Sequence, residues 1–177
     1  MSSGSRPDGA EAEARRAFSV ILARLTRRDH TEAELSRALG RMEFSPEAVE
    51  AALARAGRDG LINDARVAGA LARAGAASGR RGPRRVLATL RLKGIAPETA
   101  AVATKAAFED SEVIDTKVAR LAERLLRRAR GTTPRERRLK AVRSLMSRGF
   151  PLADARRAVS LAENALINEN RKDDADE

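Results

Sequence analysis

The sequence predicts an all-α protein: a tandem array of three three-helix, helix-turn-helix-like repeats forming an elongated or curved solenoid. The first observation behind this is internal self-similarity. With Phe44, Ile95 and Phe150 placed in one column, Leu39, Leu90 and Leu145 stand five residues upstream, and Leu35, Val86 and Ala141 four further back. Val49, Ala100 and Ala155 follow five residues downstream, and Ala52, Ala103 and Ala158 eight downstream. Gly94 and Gly149 precede the column residue in the second and third copies, where the first has Glu43. Such a period marks helical units too small to bury a core alone, which must stack on their neighbours. The second observation is composition. Alanine, leucine, arginine and glutamate dominate, and no stretch alternates apolar and polar residues in the manner of a strand. The third is a series of caps that parcels the chain into helices.

Taken in order, residues 1–10 are polar and are expected to form a disordered tail. Repeat one (11–60) opens with a helix from about Glu11 to Arg28, whose stripe is Phe18, Ile21, Leu22 and Leu25. Thr31 with Glu34 reads as a capping box for a second helix burying Leu35, Ala38, Leu39 and Met42. Ser45-Pro46 supplies an N-cap and a first-turn proline for a third, with Val49, Ala52, Leu53 and Ala56 inside. Repeat two (61–110) starts at a cap, Asn63 or Asp64, with Val67, Ala70, Leu71 and Ala74 facing in. After the Ser78–Pro83 loop comes a helix with Val86, Leu87 and Leu90. The turn Lys93-Gly94-Ile95-Ala96 leads to the helix Pro97–Phe108, with Ala100, Ala103 and Ala107 inside. Repeat three (111–168) runs from a cap at Ser111 through Ile114, Val118, Leu121 and Leu125. Thr133-Pro134-Arg135-Glu136 is another capping box, before Leu139, Val142, Leu145 and Met146. The last helix carries Ala155, Val159, Ala162 and Leu166, and residues 169–177 are expected to be a disordered acidic tail.

Composition narrows the function. The formal charge is +10, which suits a polyanionic partner or the acidic face of a protein. Thirty of the 35 basic residues are arginine, the side chain that grips phosphate or carboxylate through paired hydrogen bonds, although codon bias in a GC-rich genome produces the same excess. Without cysteine, disulfides and thiolate metal sites are excluded, and no metal site or cofactor is expected. The single histidine, His30, reads as a surface residue in a polar turn. No segment is apolar enough to span a membrane, and Met1–Ala10 lacks the apolar core of a secretory signal, so a cytoplasmic protein is expected. The chain has no phosphate-binding GxxxxGK[ST] loop, no thiol nucleophile and no evident partner for its histidine. A non-enzyme without a small-molecule substrate, a monomer, is the expectation.

Positive charge collects ahead of the third helix of each unit rather than on it. Between Gly79 and Gly94 stand Arg80, Arg81, Arg84, Arg85, Arg91 and Lys93 and no acid. From Lys117 to Arg148 twelve basic residues face only Glu123 and Glu136. Among the twelve, Arg127, Arg128, Arg130, Arg135, Arg137 and Arg138 form a second candidate patch. Contacts of this kind suit phosphates or an acidic surface and carry little base information. Solvated helix faces are the competing account of any one of these arginines. A helix-turn-helix transcriptional regulator is the alternative function, but its base-reading helices would be short of basic side chains: only Arg156 and Arg157 in the third copy fit that role. With no Trp or Tyr and four phenylalanines on apolar stripes, stacking on unpaired bases has no platform.

Several ordered segments resemble the RecX family of bacterial RecA modulators. Leu25–Leu35 (LTRRDHTEAEL) is similar to the family's opening L-x-R-R-x-S/H-S/T-x-x-E-L. Gly60–Ala68 (GLINDARVA) is similar to its joint G-x-(L/I)-(D/N)-D-x-x-(F/V)-A. Gly82-Pro83-Arg84-Arg85-Val86 with Leu90–Ile95 (LRLKGI) resembles G-P-x-x-(I/V)…L-x-x-K-G-I, the most specific stretch. Leu139 with Leu145–Phe150 (LMSRGF) resembles the L-x-R-R-G-F ending. The likeness covers about residues 17–166. It implies three-helix repeats lying along the groove of the RecA–DNA filament, bridging RecA subunits, inhibiting ATP hydrolysis and strand exchange, and blocking filament extension. The implied partners are the RecA filament and the DNA phosphate backbone. Two departures stand out: aromatic residues are scarce, and Asn63 replaces the usual acid of the joint.

Overall fold

The computed structural model describes residues 7–109, 111–130 and 133–173, with backbone alone for 7–8, 111–114 and 170–173. Among the described residues there are nine helices and no strand: α1 (Pro7–Leu25), α2 (Glu32–Gly40), α3 (Pro46–Arg58), α4 (Asp64–Ala77), α5 (Pro83–Leu92), α6 (Pro97–Ala107), α7 (Ser111–Arg128), α8 (Pro134–Ser147) and α9 (Leu152–Asp173). They follow in chain order as three sets of three. α1 starts at Pro7, four residues ahead of the expected Glu11, because proline is well suited to a helix's first turn. α9 runs on through the expected acidic tail as far as Asp173; residues 1–6 and 174–177 lie outside the described residues.

Caps set the helix starts. The Thr31 side chain accepts the Glu34 N–H at 3.1 Å while the Glu34 carboxylate accepts the Thr31 N–H at 3.3 Å, the reciprocal pair the sequence announces. The Ser45 hydroxyl accepts the Ala48 N–H at 3.3 Å and donates to the Glu13 carboxylate at 2.7 Å, which ties the start of α3 to α1. Asn63 caps α4 by accepting the Arg66 N–H at 2.8 Å. Asp64 reaches instead to α2, accepting the Glu32 N–H at 3.0 Å. Thr133 likewise accepts the Glu136 N–H at 3.2 Å.

Contacts gather the chain into two compact units, one holding α1–α3, the start of α4 and Leu90–Ala100, the other Gly69–Thr89 and the chain from Ala101 onward. The first packs Ala17, Phe18, Ile21, Leu35, Leu39 and Val49 together with Ala52 and Ala56. In the second, Val118, Leu121, Leu126, Val142, Leu145 and Phe150 pack with the alanines of α7, α8 and α9 and with Val159. The repeat columns supply these cores: Leu39, Leu90 and Leu145 are all buried, as are Leu35, Val86 and Ala141.

Some inward assignments are corrected. Met42, Leu139 and Met146 are 50%, 48% and 41% exposed, and Leu22 also faces outward. In α4 the buried residues are Val67, Ala68, Ala72 and Ala76 rather than Ala70 and Ala74, and in α6 Thr104 is buried while Ala103 and Ala107 are only half-buried. On alanine-rich helices several stripes are equally apolar, so periodicity fixes the helix but not its rotation. His30 is corrected too: it is buried, not a surface residue, with Nδ1 3.5 Å from Glu34 Oε2. The side chain of Ile114 lies outside the described residues.

A recurrent joint explains the repeat glycines. In all three copies the N–H of the column residue reaches back to the conserved-column leucine carbonyl: Phe44 to Leu39 at 3.4 Å, Ile95 to Leu90 at 3.2 Å and Phe150 to Leu145 at 3.2 Å. This closure needs a left-handed residue just before the column, and Glu43, Gly94 and Gly149 have φ of 62°, 84° and 92°. Within the first unit the turn carrying Gly94 docks on the start of α2. The Thr31 hydroxyl donates to the Lys93 carbonyl at 2.7 Å, and a Cβ on Gly94 would collide with that of Ala33. Within the second unit the turn carrying Gly149 docks the same way on the start of α5. Gly82 N–H donates to the Arg148 carbonyl at 2.9 Å and Arg84 N–H to that of Gly149 at 3.1 Å. A Cβ on Gly149 would lie 2.5 Å from Arg85 N. Thr31 and Gly82 occupy the same repeat position and receive the same carbonyl. α8, at 14 residues, is about one turn longer than α2 (9) or α5 (10). Glu43 has no docking partner of this kind to justify its strain. Glu43→Gly is therefore expected to raise the unfolding free energy by about 0.5–1 kcal/mol, and Gly149→Ala to lower it by more than ~1 kcal/mol. Urea midpoints at unchanged m-value read both changes.

Candidate functional site

The exposed arginines around α5 and α8 form the candidate site, and its electrostatics begin with helix polarity. Most helix starts here carry an acid, as Glu32, Glu47, Asp64 and Glu98 do in α2, α3, α4 and α6. α5 has none in its first turn. It has Arg84 and Arg85 there, with Arg80 and Arg81 in the preceding loop, all exposed at the positive end of the helix dipole. Each such cation costs the fold about 0.3–1 kcal/mol where exposed. No carboxylate of the described residues lies within ion-pair distance of these four guanidinium groups. The backbone N–H groups at this helix start are already taken: Arg84 by the Gly149 carbonyl, Arg85 and Val86 by that of Gly82. An anion brought here is held by side chains, not by the helix amides.

Tertiary packing enlarges this cluster. The Gly79 turn lies against α7, where an added Cβ would sit 2.8 Å from Lys117 Cβ. Lys117 and the Arg148 turn thus join the Arg80–Arg85 segment within the second unit. The Arg148 side chain is bound back on α8, its Nη1 donating to the Ser144 carbonyl at 2.7 Å and to the Ser144 hydroxyl. Proximity of a stretch near residue 80 to residues 117 and 148 has no local sequence signal.

The remaining predicted residues divide into free and neutralised groups. Arg91, in the first unit, is exposed and unpaired among the described residues. Lys93 is not: its Nζ lies 2.6 Å from Glu34 Oε1, an acid 59 residues earlier in the chain. In the second patch Arg128, Arg130, Arg135 and Arg137 are exposed without an ion pair among the described residues. Arg127 bonds Glu123 at 3.0 Å and Glu169 at 2.5 Å, and Arg138 bonds Glu163 at 2.8 Å and Ser160 at 2.9 Å. Within the second unit, the Arg80–Arg85 segment lies beside Lys117, about 16 Å of rise along α7 from Arg128, where the second patch begins. Of the basic pair on the third-copy reading helix, Arg157 is held by Asp115 at 3.3 Å and Asp154 at 3.1 Å.

Glu34 is the residue that sequence reasoning placed but did not fully read. Besides capping α2, its carboxylate accepts from Lys93 at 2.6 Å and from Arg28 at 3.1 Å. Burial by itself would raise its pKa; the hydrogen bonds from Lys93, Arg28 and the Thr31 N–H outweigh that and hold the carboxyl at about 2. Burial, followed by the charge of Arg28, pushes neighbouring His30 below its ordinary value, which favours the neutral imidazole. No group of three or more His, Cys, Asp or Glu among the described residues could hold a metal, and no helix there is long and apolar enough to cross a membrane.

Comparison with known proteins places this geometry. Three family models match in order: "RecX, first three-helix domain" over residues 17–55, the second over 63–103 and the third over 115–159. The chain is 32% identical over 157 residues to the regulatory protein RecX of Halorhodospira halophila (strain DSM 244 / SL1), covering 88% of this chain and 92% of that protein. Its fold matches the crystal structure of RecX from Lactobacillus salivarius with a TM-score of 0.79 at 20% identity, over 86% of this chain and 98% of that one. A second crystal structure, of regulatory protein RecX, matches with a TM-score of 0.77 at 26% identity, over 87% and 77%.

Because the folded carboxyl of Glu34 titrates below its ordinary value of 4.5, its stabilisation is complete above pH 4.5 and is lost as pH falls toward 2. Glu34→Gln is expected to lower the unfolding free energy by about 2 kcal/mol at pH 7. The gap between the two proteins should close near pH 2. Urea midpoints at the two pH values test this, and a gap independent of pH contradicts it.

Proposed function

Since this chain belongs to the RecX family of regulatory proteins, we propose that it regulates the RecA recombinase by lying in the groove of the RecA–DNA filament, where it inhibits ATP hydrolysis, strand exchange and filament extension. It acts as a monomer in the cytoplasm, by occupancy, with no catalysis and no cofactor of its own. The single observation that carries the reading is the start of α5. Four exposed arginines without counter-charge among the described residues crowd the positive end of a helix, an arrangement that costs stability and is relieved by a polyanion. A net charge of +10 steers the whole chain toward such a surface.

The two patches divide the work. Arg80, Arg81, Arg84 and Arg85 contact phosphates or filament carboxylates directly, and Arg91 of the first unit makes a contact of the same kind by itself. Arg128, Arg130, Arg135 and Arg137 do the same from the far end of repeat three. Lys93, Arg127 and Arg138 serve as internal partners of Glu34, Glu123, Glu169 and Glu163, so their removal costs stability before it costs binding. Transcriptional regulation by base reading is the weaker account, since Arg157 is committed to Asp115 and Asp154.

The test is RecA ATPase on single-stranded DNA at two salt concentrations. The double reversal Arg84→Glu/Arg85→Glu is expected to raise the concentration needed for half-inhibition by about tenfold or more, with helicity preserved and the thermal midpoint not lowered, since acids suit the positive end of α5 better than cations. The wild type should lose inhibition as salt rises, and the variant should show the shallower salt dependence. Unchanged inhibition by the double variant removes this patch from the mechanism.

A further inference from the structure

The geometry points to a second docking surface of opposite sign: an apolar groove between α2 and α3 that takes a cationic amphipathic helix of a partner protein. This goes beyond the filament reading, which rests on arginines, and involves none of them.

The groove lies wholly in the first unit. It is an open cleft of about 550 Å³, floored by Phe44, Val49 and Leu53 and walled by Ser36 and Gly40 of α2 and by Ala54 and Gly57 of α3. Glu32 and Glu50 stand at its mouth. Neither carboxylate has an ion pair among the described residues, and both residues are exposed. Two nearby cations, Arg37 and Arg55, are turned elsewhere. Arg37 donates to the Ala33 and Lys93 carbonyls, and Arg55 sits 4.1 Å from the Phe18 ring centre while pairing with Asp59.

The other two repeats serve as internal controls. Repeat register puts Arg91 and Met146 where the groove has Gly40, Phe108 and Glu163 where it has Gly57, and Ala101 and Arg156 where it has Glu50. The column residue follows the same split: Ile95 and Phe150 are buried, whereas Phe44 is left half-exposed on the groove floor. Among the three copies, only the first combines small walls, a half-exposed aromatic floor and acidic rims.

The fold does not ask for its two glycines. A Cβ on Gly40 or Gly57 would meet nothing within 4 Å, and neither residue has a positive φ. Glycine is the poorest helix former after proline, so both positions forgo stability to keep the walls low. An apolar ridge with leucine-like spacing enters such a groove, and lysines or arginines on its flanks meet Glu32 and Glu50. A nucleic acid is repelled by the same rim.

The experiment uses the full chain and a fluorescein-labelled peptide with leucines at helical i, i+3/i+4 spacing and lysines elsewhere, followed by anisotropy, with a leucine–glutamate peptide as the counter-probe. Saturable binding of the lysine peptide is expected despite the protein's own positive charge, with none of the glutamate peptide. Gly57→Leu, which fills the groove, and Glu50→Lys, which reverses its rim, should each weaken binding by about tenfold. Arg84→Glu/Arg85→Glu should leave it intact, so that failure here and failure of the filament reading are told apart. Circular dichroism checks each variant; should Gly57→Leu lose helicity, Gly40→Leu and Glu32→Lys replace it. No saturable binding, equal binding of both peptides, or binding indifferent to the groove variants overturns the proposal.

Discussion

The structure depends on one close contact made twice: the backbone of a helix-ending turn pressed against the first residues of a helix in the preceding repeat. Its tolerance is less than a methyl group. Gly94 against Ala33 and Gly149 against Arg85 leave no room for a Cβ, and the carbonyls of Lys93 and Arg148 are aimed at the same repeat position, Thr31 in one joint and Gly82 in the other. Small helical units hold together only through such interfaces, because each buries too little alone. Glycine does two things at once in this place, permitting the left-handed φ that closes the helix and letting two backbones meet. In the first copy Glu43 keeps the left-handed turn, and among the described residues no second backbone closes on it in this way.

The joint also organises the charge. At the first one, Glu34 is drawn among Lys93, Arg28 and the cap of its own helix, and a potential surface cation becomes part of the interior fabric. At the second, the same repeat position as Glu34 is Arg85, so no acid is present to absorb the neighbouring arginines. The result is two joints of one geometry and opposite electrostatics. One is self-neutralised and structural; the other presents Arg80, Arg81, Arg84 and Arg85 outward at the positive end of α5. Keeping the two apart lets one joint hold the fold while the other leaves its cations exposed.

Acids elsewhere follow the same economy of placement. Glu163 and Glu169 on α9 hold Arg138 and Arg127, and Asp115 holds Arg157, while Arg128, Arg130, Arg135 and Arg137 have no ion pair among the described residues. Exposed ion pairs of this kind add little stability each. Their larger effect is to decide which guanidinium groups remain available to a partner.

The repeat, the helix count, the caps and the family were all legible in the residues, because local chemistry dictates them: Thr31 with Glu34, Ser45 with Pro46 and Thr133 with Glu136 mark helix starts through hydrogen bonds spanning three or four residues. The aligned leucines likewise announced a position that is buried in every copy. What only the tertiary structure decided was rotation and pairing. Alanine-rich faces such as that of α6 look alike from every side, so the burial of Thr104 depended on neighbours distant in sequence, as did the outward turn of Met42, Leu139 and Met146. The burial of His30, the withdrawal of Lys93 into an ion pair with Glu34, and the arrival of Lys117 beside Gly79 have the same cause. Charge in a sequence counts cations and anions by segment, whereas which cation is left free is set by distances between segments, and those exist only once the chain has folded.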